Sequence, residues 1–125
     1  MEGELLPNHL LKIINRGECI TTEFKKAKRN LPSSLFESVC AMLNRNGGHI
    51  FLGLEDDGTT LGVYKDCIKQ VKKDFVNQCN NPEKLFPTAH LDIKEYVHED
   101  KYILYIYVYE SSDVHKTANK ILDRN

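Results

Sequence analysis

Three consecutive carboxylates, Glu55, Asp56 and Asp57, follow an apolar run from His49 to Leu54, and Gly58 comes directly after them. An apolar run of this length reads as a strand covered on both faces. Asp57-Gly58 is a tight-turn pair. The strand therefore carries its acidic tip to the C-terminal end of a sheet, where α/β proteins tend to place their ligands. Carboxylates held close together repel unless a cation or protons offset them, so the tip is where chemistry is expected. Two more glutamates, Glu18 and Glu23, stand five apart in a β-prone stretch. Strand alternation puts them on opposite faces, and a bulge or a bend after Gly17 is needed to bring them together. Lys25, Lys26, Lys28 and Arg29 follow as a basic cluster, either a solvated loop or a phosphate-facing patch.

These groups depend on a simple alternation of elements. Leu5 to Asn15 reads as a short helix striped by Leu6, Leu10 and Ile13 and ended by Gly17. The stripe serves packing, or a partner chain if it lies on the surface. Glu18 to Lys25 reads as a strand. Ser34 with Glu37 three residues later matches a capping box, opening a helix whose apolar stripe is Leu35, Val39, Met42 and Leu43. Gly47 is placed to end that helix in the left-handed conformation. Thr59 to Val63 is expected to form a hairpin with the apolar strand. Asp66 to Asn80 is a strong helix, with Ile68, Val71, Phe75 and Cys79 on one side and Lys65, Lys69, Lys72 and Lys73 mostly opposite. Such a lysine face more often serves solvation; a nucleic-acid footprint is the alternative. Two strands close the chain, joined by a turn at His98 to Lys101. In the second, Tyr105, Tyr107 and Tyr109 share a face, read as covering a helix, with base stacking as the alternative. The expected core is Leu35, Val39, Met42, Ile50, Leu52, Ile68, Val71, Phe75, Leu104 and Ile106.

Composition narrows the function. With 125 residues, one domain is the natural expectation. A net charge of -1 excludes a surface that binds polyanions everywhere, so any nucleic-acid contact comes from local patches. The cysteines, Cys19, Cys40, Cys67 and Cys79, form no CxxC pair and have no zinc spacing. Cys40 and Cys79 fall on apolar helix faces as core thiols. Free thiols point to a reducing cytoplasm. No apolar run approaches a membrane span, and the acidic start, Met1 to Pro7, is unlike a signal peptide.

The joint pattern Gly17-Glu18-x4-Glu23-Phe24-Lys25, then Ala41-x2-Asn44-x2-Gly47-Gly48-x-Ile50-x-Leu52-Gly53-Leu54-Glu55-Asp56-Asp57-Gly58-x3-Gly62-Val63, resembles the Schlafen AlbA-2 domain. That family occurs in bacterial transcriptional-regulator-like proteins, often described as helicase-related, and in vertebrate Schlafen proteins. The resemblance implies an α+β fold, a mixed sheet with flanking helices, spanning residues 1–125 as a single domain. It implies a nucleic-acid-binding module, DNA or RNA, for which the basic patches read from the residues, Lys25, Lys26, Lys28 and Arg29 and then Lys69, Lys72 and Lys73, are the candidate contacts. It also carries an enzymatic alternative. Glu18, Glu23 and Asp56 fall on the three acidic residues that form a metal-dependent ribonuclease site in some Schlafen proteins, where Mg²⁺ or Mn²⁺ activates water and neutralises phosphate. Glu55 stands where many members carry aspartate. A third alternative is a dimerisation domain without chemistry. His115 and Asp123-Arg124-Asn125 resemble the start of the family's C-terminal strand, so the chain is expected to be the N-terminal part of a longer protein with further C-terminal domains.

Overall fold

The computed structural model describes residues 2–117 and the backbone of 120–121. Its elements are α1 (Asn8–Arg16), β1 (Thr22–Lys25), α2 (Leu35–Leu43), β2 (Gly48–Leu52), α3 (Lys65–Cys79), β3 (Ile93–His98), β4 (Lys101–Val108), β5 (Lys116–Thr117) and β6 (Lys120–Ile121). Four strands form a mixed sheet in the order β1-β2-β4-β3, while β5 and β6 make a separate antiparallel pair. β1 runs parallel to β2, and β4 is antiparallel to both β2 and β3. The fold is the expected α+β arrangement.

Side-chain alternation divides the sheet into two packed faces. On one face Ile50, Leu52, Leu104 and Ile106 meet α2 and α3. All ten residues expected in the core lie in this cluster, and so do Cys40 and Cys79. Burial pushes the Cys79 thiol up to about 12, so it stays protonated as an apolar filler. On the other face Phe24, Phe51, Tyr96 and Ile103 meet Leu10 and Ile14 of α1. The α1 stripe is thus used for packing within the chain. Before α1 the chain adds a short edge to β3: the Leu6 N–H donates to the Val97 carbonyl and the Val97 N–H to that of Glu4. Pro7 stands at the N-cap, so the helix begins at Asn8 rather than Leu5.

Three local expectations are corrected. The strand at Glu18 to Lys25 is shorter, because Cys19 and Thr22 exchange backbone hydrogen bonds of 3.0 and 3.1 Å around a turn at Ile20-Thr21. The hairpin of Thr59 to Val63 reduces to one bridge between Leu54 and Thr60. Beyond it, Leu61 and Gly62 both donate to the Gly53 carbonyl, and Val63 turns away to donate to Tyr102. The Ser34–Glu37 capping box does not form; the Ser34 hydroxyl instead accepts from the Lys25 ammonium at 2.9 Å. Of the expected C-terminal strand, Asp123 to Asn125 lie outside the described residues. His115 is buried: its Nδ1 is 2.6 Å from the Pro87 carbonyl, and its backbone N–H donates to Asn44.

The corner between α2 and β2 is the tightest part of the fold. Gly47 has φ 69°, and a Cβ there would lie 2.4 Å from the Val108 carbonyl oxygen. Gly17 also has a positive φ, 85°, but faces open space. Gly17→Ala should therefore cost only the backbone strain of φ 85° with ψ 178°, a conformation residues with a Cβ avoid, roughly 1–3 kcal/mol. Gly47→Ala should cost clearly more in urea unfolding, because strain and overlap add. Leu52→Ala should cost roughly 2–5 kcal/mol, as truncation of fully buried leucines does. A change under half of the lower figure would show that β2 is not the centre of the core.

Candidate functional site

The Ile20-Thr21 turn answers the problem posed by the spacing of the glutamates. It folds Glu18 back along β1, where its Oε2 accepts from the Phe24 N–H at 2.9 Å. Glu23, paired with Ile50 of β2, points to the α2 face and accepts from the Ser38 hydroxyl at 3.3 Å. The Glu23 carboxyl lies close enough to that of Glu18 to act on it. Although Glu18 is exposed overall, its carboxyl end is desolvated against β1. Desolvation first, then the Glu23 hydrogen bond and the charges of Glu23 and Asp56, raise its pKa above the ordinary value, against the lowering effect of the Phe24 N–H.

Asp56 reaches this pair because β2 ends level with β1. Gly53 and Leu54 donate to the Lys25 carbonyl at 2.7 and 3.3 Å. A turn then follows, in which Gly58 donates to the Glu55 carbonyl and Glu55 donates to that of Thr59. Asp56 and Asp57 occupy its exposed centre. Hydrogen bonds from Thr59 hold the Asp57 carboxyl below its ordinary pKa, so Asp57 serves the turn. The expected acidic trio is thus brought into electrostatic contact. Among the described residues, no group of three His, Cys, Asp or Glu side chains is placed to hold a metal ion. The oxygen donors of the trio are of the kind that suits Mg²⁺ or Mn²⁺.

The basic cluster leaves the end of β1 beside these carboxyls. Lys25 is tied to Ser34, and the Arg29 guanidinium lies 4.8 Å over the Tyr64 ring. Lys26, Lys28 and Arg29 are exposed. The α3 lysines are more nearly balanced. Lys72 pairs with Glu95 at 3.4 Å, and with Lys65 and Lys69 it lines a hollow of about 530 Å³ that also contains Glu2 and Glu95. Lys69 and Lys73 are exposed. The tyrosine face divides: Tyr105 is buried under α1, while Tyr107 is 56% and Tyr109 38% exposed. The partners Ser34 and Ser38 were missed in the sequence, where Ser34 reads only as a capping residue and Ser38 carries no signal of its own.

The raised pKa of Glu18 has a measurable consequence. A carboxyl with a raised folded pKa gives stability that is full below its unfolded pKa and is lost as pH rises through the folded value. Stability should therefore fall as pH rises from the ordinary carboxylate value, about 4.5, through the raised value of Glu18. Glu18→Gln should remove that segment of the slope in pH-dependent urea unfolding. An unchanged slope would show that burial and the neighbouring carboxylates do not raise Glu18.

A search of curated proteins finds no match. Among solved structures, the chain is similar to the N-terminal domain of an ATP-dependent DNA helicase RecG-related protein from Nitrosomonas europaea. Identity is 25% and TM-score 0.61, over 82% of this chain and 71% of that one. It also shares its fold with the DIP2311 protein from Corynebacterium diphtheriae, at 17% identity and TM-score 0.60, over 87% of this chain but only 26% of that protein. The family model described as Schlafen, AlbA_2 matches residues 18–125, from the first glutamate of the acidic trio onward. With its mixed sheet and flanking helices, the chain belongs to the Schlafen AlbA_2 family.

Proposed function

We propose that the domain binds nucleic acid, as the recognition part of a transcriptional-regulator-like protein, through the basic loop that leaves β1. The observation that carries this reading is the position of the loop. Lys26, Lys28 and Arg29 are exposed at the edge of the sheet, and Lys25 is fixed by Ser34 on the strand face it shares with Glu23. The family membership and the similarity to a helicase-related domain support nucleic acid as the partner. At a net charge of -1 attraction is local, so affinity should depend on a few phosphate contacts. The slope of log affinity against log salt on duplex DNA should fall by roughly 0.9 for each contact removed. Lys26→Ala with Lys28→Ala tests this without disturbing Lys25 or Arg29. An unchanged slope would move the footprint, most simply to Lys69, Lys72 and Lys73.

A second reading, a divalent-metal-dependent endoribonuclease, is favoured by the nearness of Glu23 and Asp56 to the Glu18 carboxyl, which the turn at Ile20-Thr21 folds back along β1. In this reading Glu18, Glu23 and Asp56 are the catalytic and metal-binding residues, which would hold Mg²⁺ or Mn²⁺ to activate water and neutralise phosphate. Mn²⁺ should then stabilise the fold by RT ln(1 + [L]/Kd), about 2.7 kcal/mol at a hundredfold excess over Kd. Asp56→Asn should lose most of that gain while keeping its metal-free stability. Identical responses of wild type and variant in thermal unfolding with millimolar Mn²⁺ would end this reading and leave the binding module standing.

A further inference from the structure

α1 covers only part of its face of the sheet. Leu10 and Ile14 pack over Phe24, Phe51, Tyr96 and Ile103, towards the turn between β3 and β4. The opposite half of the same face carries an aromatic strip. His49 and Tyr107 are directly paired across β2 and β4, with ring centroids 5.7 Å apart. Tyr105 stacks on His49 at 5.8 Å and shares a hydrogen bond of 2.6 Å with its Nδ1, fixing the imidazole. Lys94, the β3 partner of Tyr105, borders the strip. Together with His90, Tyr107 and Tyr109, it lines a hollow of about 280 Å³. Asp92, the carboxylate lining that hollow, is 3.6 Å from His90 Nε2. On α1, the exposed His9, Lys12 and Arg16 recur three and four residues apart, on one side of the helix. His9 is close enough for its charge to act on His49.

A tyrosine 56% exposed on a strand, held beside a fixed imidazole and bordered by Lys94, is poorly explained as core. Its apolar ring remains in water, and the nearby ammonium is unsuited to an apolar partner. Bases supply flat π faces for such rings, and phosphates supply the complementary charge. We propose that His49, Tyr107 and Tyr109, flanked by Lys94 and His90, form a stacking platform for single-stranded nucleic acid. The proposal rests on the nucleic-acid reading above but assigns a surface separate from the basic loop. It also assigns a class, since the bases of a duplex are not free to stack on a protein ring.

The test is fluorescence anisotropy with short labelled oligo(dT), oligo(U) and a duplex, using the whole chain. Wild type should bind a single strand. Tyr107→Ala should weaken that binding by about 5- to 150-fold, the range for loss of one stacked base, and leave duplex binding within about twofold. Tyr107→Phe, which keeps the ring, should retain single-strand affinity within about twofold. Because the chain has no tryptophan, tyrosine emission is observable, and the quenching on binding should be larger in wild type than in Tyr107→Ala. The tighter of oligo(dT) and oligo(U) identifies the natural strand. Single-strand binding that is equal in wild type and Tyr107→Ala would overturn the platform while sparing the nucleic-acid reading. Absence of binding to all three probes would overturn both. A dimer dissolved by Tyr107→Ala, with unchanged oligonucleotide affinity, would assign the face to a second copy of the chain and overturn the proposal.

Discussion

The backbone packing at Gly47 and Gly48 is the constraint from which the rest of the molecule is measured. A Cβ at Gly47 would lie 2.4 Å from the Val108 carbonyl, and one at Gly48 would lie 2.7 Å from that of Thr21. Two successive residues without side chains thus let α2 turn sharply into β2 between backbones that stand almost in contact. This places β2 in the interior of the sheet, paired with β1 on one side and β4 on the other. Each candidate surface takes its register from that strand. Glu23 stands level with Ile50, and Tyr107 stands opposite His49. A slip of one residue on either side would turn the set of side chains to the other face. Glu23 would then leave Glu18 and Ser38, and Tyr107 would enter the core.

At the β1 edge, repulsion is handled by local chemistry. Two carboxyls meet because a two-residue turn returns the chain; the Phe24 N–H favours the charged form of Glu18, against burial and the neighbouring carboxylates, which raise its pKa. Lys25 lies on the same face as Glu23 but is drawn to Ser34 on α2 rather than to a carboxylate. The edge therefore holds Lys25 on a hydroxyl rather than on the neighbouring glutamate. That separation is required if a phosphate is to find a cation there, since a lysine already paired with a carboxylate, as Lys72 is with Glu95, must first give up that partner.

Much of the fold was legible because its signals are periodic. The buried stripe of α3, the apolar run of β2 and the glycine stop before it each repeat or break a pattern that burial imposes. The convergence of Glu18 and Glu23 was not legible from alternation. The residues that make the turn, Ile20 and Thr21, have strand preferences, and tertiary pairing overrides them; only the resemblance to the family brought the glutamates together. The capping box failed for a related reason. Ser34 has the right neighbour in sequence, but a lysine nine residues earlier in the chain competes for its hydroxyl. The division of the tyrosine face was hidden as well. All three tyrosines share one side of β4, and how much of that side is covered depends on how far α1 reaches across it, a matter of helix length and crossing direction rather than strand pattern.

The same geometry bears on how the two proposed surfaces relate. From β4 to β1 is two interstrand spacings, roughly 10 Å, and from Thr22 to Lys25 is three residues of extended chain, again roughly 10 Å. Since Tyr107 and Thr22 lie on the same cross-strand row through His49, the diagonal from the aromatic strip to the start of the basic loop is roughly 14 Å. A few nucleotides can span that distance. The platform lies on the α1 face of the sheet, with Phe51 and Phe24 beside it covered by α1, whereas Glu23 and Lys25 lie on the α2 face, so a strand stacked on Tyr107 and His49 would have to round the β1 edge to reach Lys26 and Lys28. The rigid element between these points is β2, whose residues Ile50, Phe51 and Leu52 are wholly buried. The spacing of stacking surface, cations and carboxyls is thus set by the most tightly packed strand in the protein, so a ligand meeting all three would find them already in place and lose little freedom in arranging them.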